Sequence, residues 1–290
     1  IGMRSMRSLT ILLLCMILCL PVAADETLVS ALDAVHARDF EAALSSLSDL
    51  PEAQRTRDTQ FHLARVQYLT GDLAASLKTL EALQVSYGKD SEAFYLAGLV
   101  YLELVDKVNV FKKVGTAKKS LSSWQDAVAK NPQNLDARYA IFAYYASAPG
   151  IAGGDMDRAV NMVQEIDQQD KGYGAMAKGL LLSLQDDSAG AEAAYQEAAI
   201  LMDRAGPYMS LAQLYMATEN YEKALTAAAQ FLEGEKRWWD PDITVAYLMR
   251  VRANERLGRL QAAKEEAKLA LSMNPSKRVE KALKKELKQL

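Results

Sequence analysis

Apolar residues recur along this chain at the spacing of one helix face, and short polar turns separate the segments that carry them. Two consecutive faces illustrate the spacing: Tyr208, Leu211, Ala212 and Tyr215, and then Tyr221, Ala224, Ala228 and Phe231. Side chains three, four and seven residues apart lie on the same side of an α-helix. The pattern therefore predicts helix–turn–helix hairpins in which small residues let the paired helices approach.

A short motif marks where the second helix of each hairpin begins. It consists of a turn with Gly, Asp or Asn, an anchor residue and, usually, a small residue three positions later. The seven anchors are Phe40, Leu73, Ala117, Met156, Ser188, Tyr221 and Leu260, at steps of 33, 44, 39, 32, 33 and 39 residues. A period of this length is typical of repeat architectures. We therefore expect seven hairpins.

Together these features resemble the tetratricopeptide repeat family. The resemblance rests on the steps near 34 residues, on the "GDL" and "ENYEKAL" turns, and on a closing "NP" at Asn131 and Asn274. It implies an all-α, right-handed solenoid of about seven hairpins over residues 25–290, with residues 276–290 as a C-terminal capping helix. In this family the first helices of the repeats line a concave groove that receives peptides.

Two insertions lengthen the repeats, near residues 104–116 and 147–155. The second, "SAPGIAGGD", is rich in glycine, but a phosphate-binding loop would follow a strand and carry a Lys–Ser/Thr pair. We expect Pro149 to end one helix, the glycines to adopt positive φ, and Asp155 to cap the next helix. The insertions are similar to those of secreted bacterial tetratricopeptide proteins with an "APGIAGG" turn, and we expect them to lie on neighbouring parts of the surface.

The first 24 residues are typical of a secretory signal peptide. Arg4 and Arg7 precede an apolar run of 12 residues, Leu9–Leu20, and small residues follow at 22–24. The run is shorter than the roughly 20 residues that a membrane-spanning helix needs, although a membrane anchor is the alternative. We predict cleavage after Ala24, a periplasmic or secreted chain, and no stable membrane insertion afterwards.

Few residues could support catalysis or bind a metal. Cys15 and Cys19 both lie in the predicted signal peptide, and His36 and His62 are isolated from each other in the sequence. A cysteine or serine nucleophile, or a zinc site, would need such residues in groups. The sequence therefore predicts neither an enzyme nor a cofactor or metal site.

Several first helices carry aromatic and basic side chains at positions that match the family's groove. The candidates for binding are Arg65, Tyr68, Tyr101, Tyr139, Gln213 and Arg252. In a peptide groove the tyrosines would supply apolar contact and the arginines would pair with carboxylates. The alternative is that most of these tyrosines belong to the core between repeats.

The adjacent pair Trp238 and Trp239 precedes a helix-breaking Asp240–Pro241. Two adjacent tryptophans cannot both point into one helix face. We expect one of them to pack between the sixth and seventh repeats and the other to be a candidate exposed anchor for a partner.

The predicted capping helix has an apolar stripe and a basic remainder. Val279, Leu283, Leu287 and Leu290 form the stripe, and six basic residues outnumber Glu280 and Glu286. A solvated cap is one interpretation, and a basic arm for a membrane or an acidic partner is the other.

These patterns predict a non-catalytic scaffold or adaptor of the bacterial periplasm that binds a protein or peptide partner in its groove. The alternative is a periplasmic binding protein for a small molecule or a glycan, with an aromatic-lined pocket. No nucleic-acid partner is expected, because the formal net charge is −3.

Overall fold

The computed structural model describes residues 25–238 and 240–290. The predicted signal peptide at residues 1–24, with Cys15, Cys19 and the cleavage site after Ala24, lies outside the described residues, as does Trp239. None of the helices in the described part of the chain is long and apolar enough to cross a membrane.

The described chain forms fifteen α-helices. Their bounds are α1 (25–36), α2 (Phe40–Ser48), α3 (Arg57–Leu69), α4 (Leu73–Ser86), α5 (Ser91–Val105), α6 (Val110–Lys130), α7 (Leu135–Ser147), α8 (Met156–Gln169), α9 (Lys171–Leu184), α10 (Ser188–Met202), α11 (Gly206–Ala217), α12 (Tyr221–Glu233), α13 (Ile243–Arg256), α14 (Leu260–Ser272) and α15 (Lys277–Gln289). Consecutive pairs from α1/α2 to α13/α14 make seven hairpins, and α15 follows as a single helix. From α2 onward each helix packs against the next one. The all-α solenoid of seven hairpins with a C-terminal capping helix is thereby confirmed.

The hairpin turns begin their second helices in a shared way. The residue before the cap has positive φ in five turns, at Arg38, Gly71, Asp186, Glu219 and Gly258. In four of them the next residue is Asp or Asn, and its side chain accepts a backbone N–H of the new helix; Asp72, for example, accepts from the amide of Ala75 at 3.0 Å. Each such cap stabilises a helix by about 1 kcal/mol. The turn residues noticed in the sequence therefore act as caps and left-handed corners.

Small residues allow the paired helices to approach closely. A Cβ added to Gly98 of α5 would lie 2.2 Å from the indole nitrogen of Trp124 on α6, and one added to Gly179 of α9 would lie 2.6 Å from the ring of Tyr195 on α10. The indole N–H of Trp124 donates to the carbonyl of Tyr95 at 3.2 Å. The predicted role of the small position Gly179 is thus confirmed.

The two insertions fold as ordered parts of their hairpins. The first lengthens α6 to 21 residues, and the predicted helix start at the anchor Ala117 is wrong, because α6 begins at Val110 after the cap Asn109. In the second, Gly153 has φ of 102° and the carboxylate of Asp155 accepts the amide of Arg158 at the start of α8. The short 3-10 turn Gly150–Ala152 packs against α6. The prediction that Asp155 caps α8 is confirmed, but only Gly153 of the loop's three glycines has positive φ. A Cβ added to Gly153 would lie 3.9 Å from Leu121, in the middle of α6, so the adjacency of the two insertions stays a prediction.

The first hairpin meets the last one. The guanidinium of Arg38, in the first turn, donates to the carboxylate of Asp242 at 2.6 Å, to the carbonyl of Met273 at 2.5 Å and to that of Asn274 at 3.1 Å. These contacts join residues more than 200 positions apart in the chain. The solenoid therefore closes on itself instead of ending as two separate tips.

Candidate functional site

The segment between α12 and α13, residues 234–242, crosses the inner side of the solenoid; we call it the connector. The ring of Trp238 makes edge contacts with Phe61 of α3, at 5.5 Å between centroids, and with Tyr95 of α5, at 6.0 Å. The guanidinium carbon of Arg65 lies 5.7 Å from the same ring. The connector thus leaves the sixth hairpin and contacts the first helices of the second and third.

This path corrects the tryptophan predictions. Trp238 is partly buried among two of the hydrophobic clusters and does not pack between the sixth and seventh hairpins. Nor is it an exposed anchor for another protein. Trp239 lies outside the described residues.

A second anchor of the connector is the carboxylate of Asp240. It accepts the amide of Arg237 at 2.7 Å, and a Cβ added to Gly206, at the start of α11, would lie 3.1 Å from its Oδ1 atom. Burial raises the pKa of Asp240, while Arg204 and Arg237 act in the opposite direction. The carbonyl of Glu235 accepts the amide of Ala205 at 2.8 Å. The connector is therefore attached at α11 as well as at α3 and α5.

A polar cluster lies beside the connector. The hydroxyl of Tyr173 donates to Asp136 at 2.5 Å, and the guanidinium carbon of Arg204 lies 4.9 Å from the Tyr173 ring. Burial raises the pKa of Asp136 and that of Tyr173. The Nε and Nη1 atoms of Arg204 are buried without a hydrogen-bond partner in the described chain. Buried polar atoms are normally satisfied, so these two donors are unusual.

Helix α3 carries a second arginine with a buried, unpaired donor. The Nε atom of Arg65 has no partner among the described residues, and burial lowers the pKa of Arg65 to about 10. Burial, with the charge of Arg65 acting in the same direction, lowers the pKa of His62 to about 4. Burial, reinforced by Glu103, raises the pKa of Tyr68 to about 12. The guanidinium of Arg65 on α3 therefore lies at the inner face without a carboxylate partner among the described residues.

Comparison with known proteins identifies the repeat. A tetratricopeptide repeat family model matches residues 245–277, which contain most of α13 and all of α14. The structure is similar to a tetratricopeptide repeat protein from Parabacteroides merdae ATCC 43184, with a TM-score of 0.55 and 18% identity over 92% of this chain and 98% of that one. The chain folds as a tetratricopeptide-repeat solenoid.

A further likeness is to a structure of the human IFIT1 dimer with PPP-AAAA. The TM-score is 0.50 and the identity 16%, over 85% of this chain and 54% of that one. No curated protein matches the sequence of this chain. At these identities the similar structures establish the tetratricopeptide-repeat fold alone.

Three of the six groove candidates lie on the inner face of the tetratricopeptide-repeat solenoid. Arg65 contacts the connector through Trp238, and Tyr68 packs against the same hydrophobic cluster as Trp238. The ring of Tyr139 lies 5.7 Å from that of Phe142 and 6.4 Å from that of Tyr173. Burial raises the pKa of Tyr139. The structure thus brings Arg65, Tyr68 and Tyr139 into the region of the connector.

The other three candidates lie elsewhere. Tyr101 has the ammonium of Lys119 on α6 at 5.4 Å from its ring and Glu81 of α4 nearby, so it faces second helices. Gln213 is exposed on α11. The Nε atom of Arg252 donates to Glu286 of the capping helix at 2.9 Å. These three side chains do not form one site.

Sequence reasoning missed Asp136, Tyr173, Arg204 and Asp240. Asp136 is in the first turn of α7, where an acid is expected from the helix dipole alone. Arg204 follows a left-handed Asp203 at a helix end and carries no motif. No local signal could have joined these residues, because the packing of α7, α9 and the end of α10 brings Asp136, Tyr173 and Arg204 together, and the connector adds Asp240. The described residues contain no cluster of three or more potential metal ligands.

Proposed function

We propose that this protein is a non-catalytic adaptor, exported to the periplasm, that binds an extended segment of a protein partner on its inner face. The observation that carries the proposal is the connector. It is a non-helical stretch of the chain's own backbone, held across first helices by one aromatic side chain and by charged groups. A surface that holds one such segment has the chemistry to hold another beside it.

The chemistry of the partner follows from the unpaired donors. Arg65 and Arg204 form no ion pair with the described chain, and three of their guanidinium nitrogens are buried without an acceptor there. Carboxylates are the acceptors that arginine pairs with most strongly. Tyr68 supplies apolar ring surface nearby, whereas Tyr139 packs into the core between hairpins. The preferred partner segment therefore carries a carboxylate next to an apolar residue.

The small-molecule or glycan alternative gains less support. Surface depressions of about 620 Å³ and about 410 Å³ lie against α15 and beside Tyr87. The first is lined almost wholly by charged residues, and the second also lies away from the tyrosines of the inner face. Tyr87 is the single aromatic residue that lines either of these two depressions, whereas the alternative requires a pocket lined by several.

Site-specific photo-crosslinking in cells tests the adaptor proposal. Benzoylphenylalanine at position 68 faces the inner side, and the same residue at position 101 is a matched control that faces the second helices. We expect one partner polypeptide to be captured from position 68 and not from position 101, and Arg65→Gln to reduce its yield. Equal capture at both positions, or none at position 68, would contradict the proposal.

Export is tested separately. Cell fractionation of a strain expressing the complete chain should place the protein in the periplasmic fraction with Asp25 as its first residue. Retention in the cytoplasm with an intact N-terminus would refute the export proposal without affecting the binding proposal.

A further inference from the structure

The start of α6 exposes large apolar side chains to solvent. Val110 is 69% exposed and Phe111 is 93% exposed. Both lie in the first turn of the helix, directly after the N-cap Asn109. We call residues 110–118 the α6 tip. A phenylalanine in this position contributes little to the core, so its exposure needs another explanation.

The α6 tip is also basic. Lys112 and Lys118 are exposed, and their side chains make no ion pair or hydrogen bond with the described chain. Lys113 reaches only Asp106, at 3.8 Å. The whole chain has 34 basic and 37 acidic residues, so this local excess of positive charge is not a consequence of composition.

Gly115 has no side chain that could cover the apolar ring of Phe111. It lies one helical turn after Phe111 on the same face, and a Cβ added there would meet no atom within 4 Å. Glycine inside a helix stabilises that helix less than alanine does. Because packing does not require this glycine, the fold does not explain it.

The second insertion, which packs against the same helix, presents a third exposed apolar side chain. Ile151 is 75% exposed, in the 3-10 turn that packs against α6. This turn is fixed, because the hydroxyl of Tyr144 donates to the carbonyl of the buried Ala152 at 2.7 Å and the amide of Asp155 donates to the carbonyl of Tyr145 at 2.9 Å. Ile151 is therefore held outward by an ordered loop.

We infer that the α6 tip and Ile151 dock onto an anionic lipid surface, with the apolar side chains entering the headgroup layer and the lysines contacting lipid phosphates. Apolar side chains flanked by lysines are the combination that binds such surfaces. A stable protein interface needs about 800 Å² on each partner, with a packed apolar centre. Three apolar side chains at hairpin ends fit a soft headgroup layer better than such an interface. The inference does not rest on the adaptor proposal.

The capping helix provides an internal comparison. Lys281 and Lys285 of α15 carry no ion pair in the described structure, so α15 is basic as well. Its large apolar side chains, such as Val279 and Leu283, are buried against the last hairpin, and none of them is exposed. If positive charge alone were sufficient for binding, α15 would also bind anionic lipid surfaces. The inference assigns the binding to the α6 tip.

Vesicle co-sedimentation of residues 25–290, which contain all fifteen helices and their cores, tests the inference. The probes are vesicles of phosphatidylcholine alone and vesicles that also contain phosphatidylglycerol. We expect binding to the second only, weakened by added salt. Phe111→Ser should weaken it about tenfold, and Lys112→Glu about fivefold.

Matched controls distinguish docking through the α6 tip from nonspecific binding to vesicles. Val85→Ser changes a side chain that is 87% exposed at the end of α4, and Lys285→Glu reverses a charge on α15. Both should leave vesicle binding unchanged. In Phe111→Trp the added indole should shift its emission to shorter wavelength with the anionic vesicles, whereas Val85→Trp should not.

Several results would overturn the inference. These are failure to bind anionic vesicles, equal losses for Phe111→Ser and Val85→Ser, or binding to polyglutamate that matches binding to the vesicles. The last result would indicate an acidic protein as the partner. Concentration-dependent dimerisation that Phe111→Ser abolishes, without vesicle binding, would identify a second copy of the chain as the occupant.

Discussion

The loop at residues 148–155 and the connector at 234–242 both interrupt the helical repeat, yet they make contacts of different range. The loop folds back onto its own hairpin, where the hydroxyl of Tyr144 donates to the carbonyl of Ala152 eight residues away, and it packs against α6 of the preceding hairpin. The connector brings Trp238 to Phe61 and Tyr95, and its last residue, Asp242, pairs with Arg38 across 204 positions. One segment completes a repeat, whereas the other joins repeats that are distant in the chain.

The difference matters for how the solenoid is stabilised. In an open solenoid each repeat contacts only its neighbours, and the stability is a sum of local terms. The connector and Arg38 add contacts between the first three hairpins and the last two. We therefore expect changes in the connector to affect the whole molecule, and changes in the loop to stay within the third and fourth hairpins.

Trp238→Ala should have the largest effect. Removal of a partly buried tryptophan leaves a space beside Phe61 and Tyr95, and we expect the free energy of unfolding to fall by about 3 kcal/mol. Urea unfolding measures the loss, and amide exchange in α3 and α5 should rise with it. Trp238→Phe is the matched control and should retain more than half of the stability. Exchange that rises only near α12 would show that the connector is a local feature.

Gly154→Ala should have the next largest effect, restricted to the loop. A Cβ at this position would lie 1.7 Å from the carbonyl oxygen of Ala148, a backbone atom that cannot move aside easily. We expect a loss of about 2 kcal/mol. Gly150→Ala, where the Cβ meets open space, should be nearly neutral. Exchange in α3 should stay unchanged, and faster exchange there would break the distinction between the loop and the connector.

Arg38→Gln tests the closure of the solenoid. The variant loses the charged bonds to Asp242 and to the carbonyl of Met273, and we expect about 1.5 kcal/mol of destabilisation. Arg259→Gln removes an ion pair with Glu222 in which both side chains are about half exposed, and it should change stability by less than about 0.5 kcal/mol. Similar losses in the two variants would mean that closure adds nothing beyond a surface ion pair.

A pH effect at His62, next to the connector contact Phe61, should be the smallest. Its pKa is lowered to about 4 in the folded chain, so the unfolded chain binds the proton more readily between pH 6.5 and 4. Stability from this group is complete above pH 6.5 and is lost as the pH falls towards 4. Because the ring is partly exposed, we expect a loss of roughly 1 kcal/mol.

NMR titration of His62 checks this prediction, and His62→Gln is the control that should remove its share of the pH dependence. Asp136 and Asp240 have raised pKa values, so they act in the opposite direction and favour the folded state at low pH. A normal pKa for His62 in the folded chain would show that the connector side of α3 is open to water.

Much of the fold follows from patterns within single hairpins. Six of the seven anchors from Phe40 to Leu260 mark the start of a second helix, because capping, turn geometry and helical spacing act between residues a few positions apart; Ala117 is the exception and lies inside α6. Asp155 could be predicted as a cap for the same reason. The inner site could be predicted only in part. Arg65, Tyr68 and Tyr139 follow from the groove positions of the repeat, but Tyr101 and Arg252 face second helices or the cap instead.

The sequence by itself determined the seven hairpins, their caps and the capping helix, since these depend on local contacts. Only the tertiary structure decided where Trp238 lies, that Arg38 reaches Asp242, and that Asp136, Tyr173 and Arg204 meet beside the connector. The reason is geometric. Small rotations between successive hairpins add up along the solenoid, and their sum, which no single segment encodes, brings the first and last hairpins together.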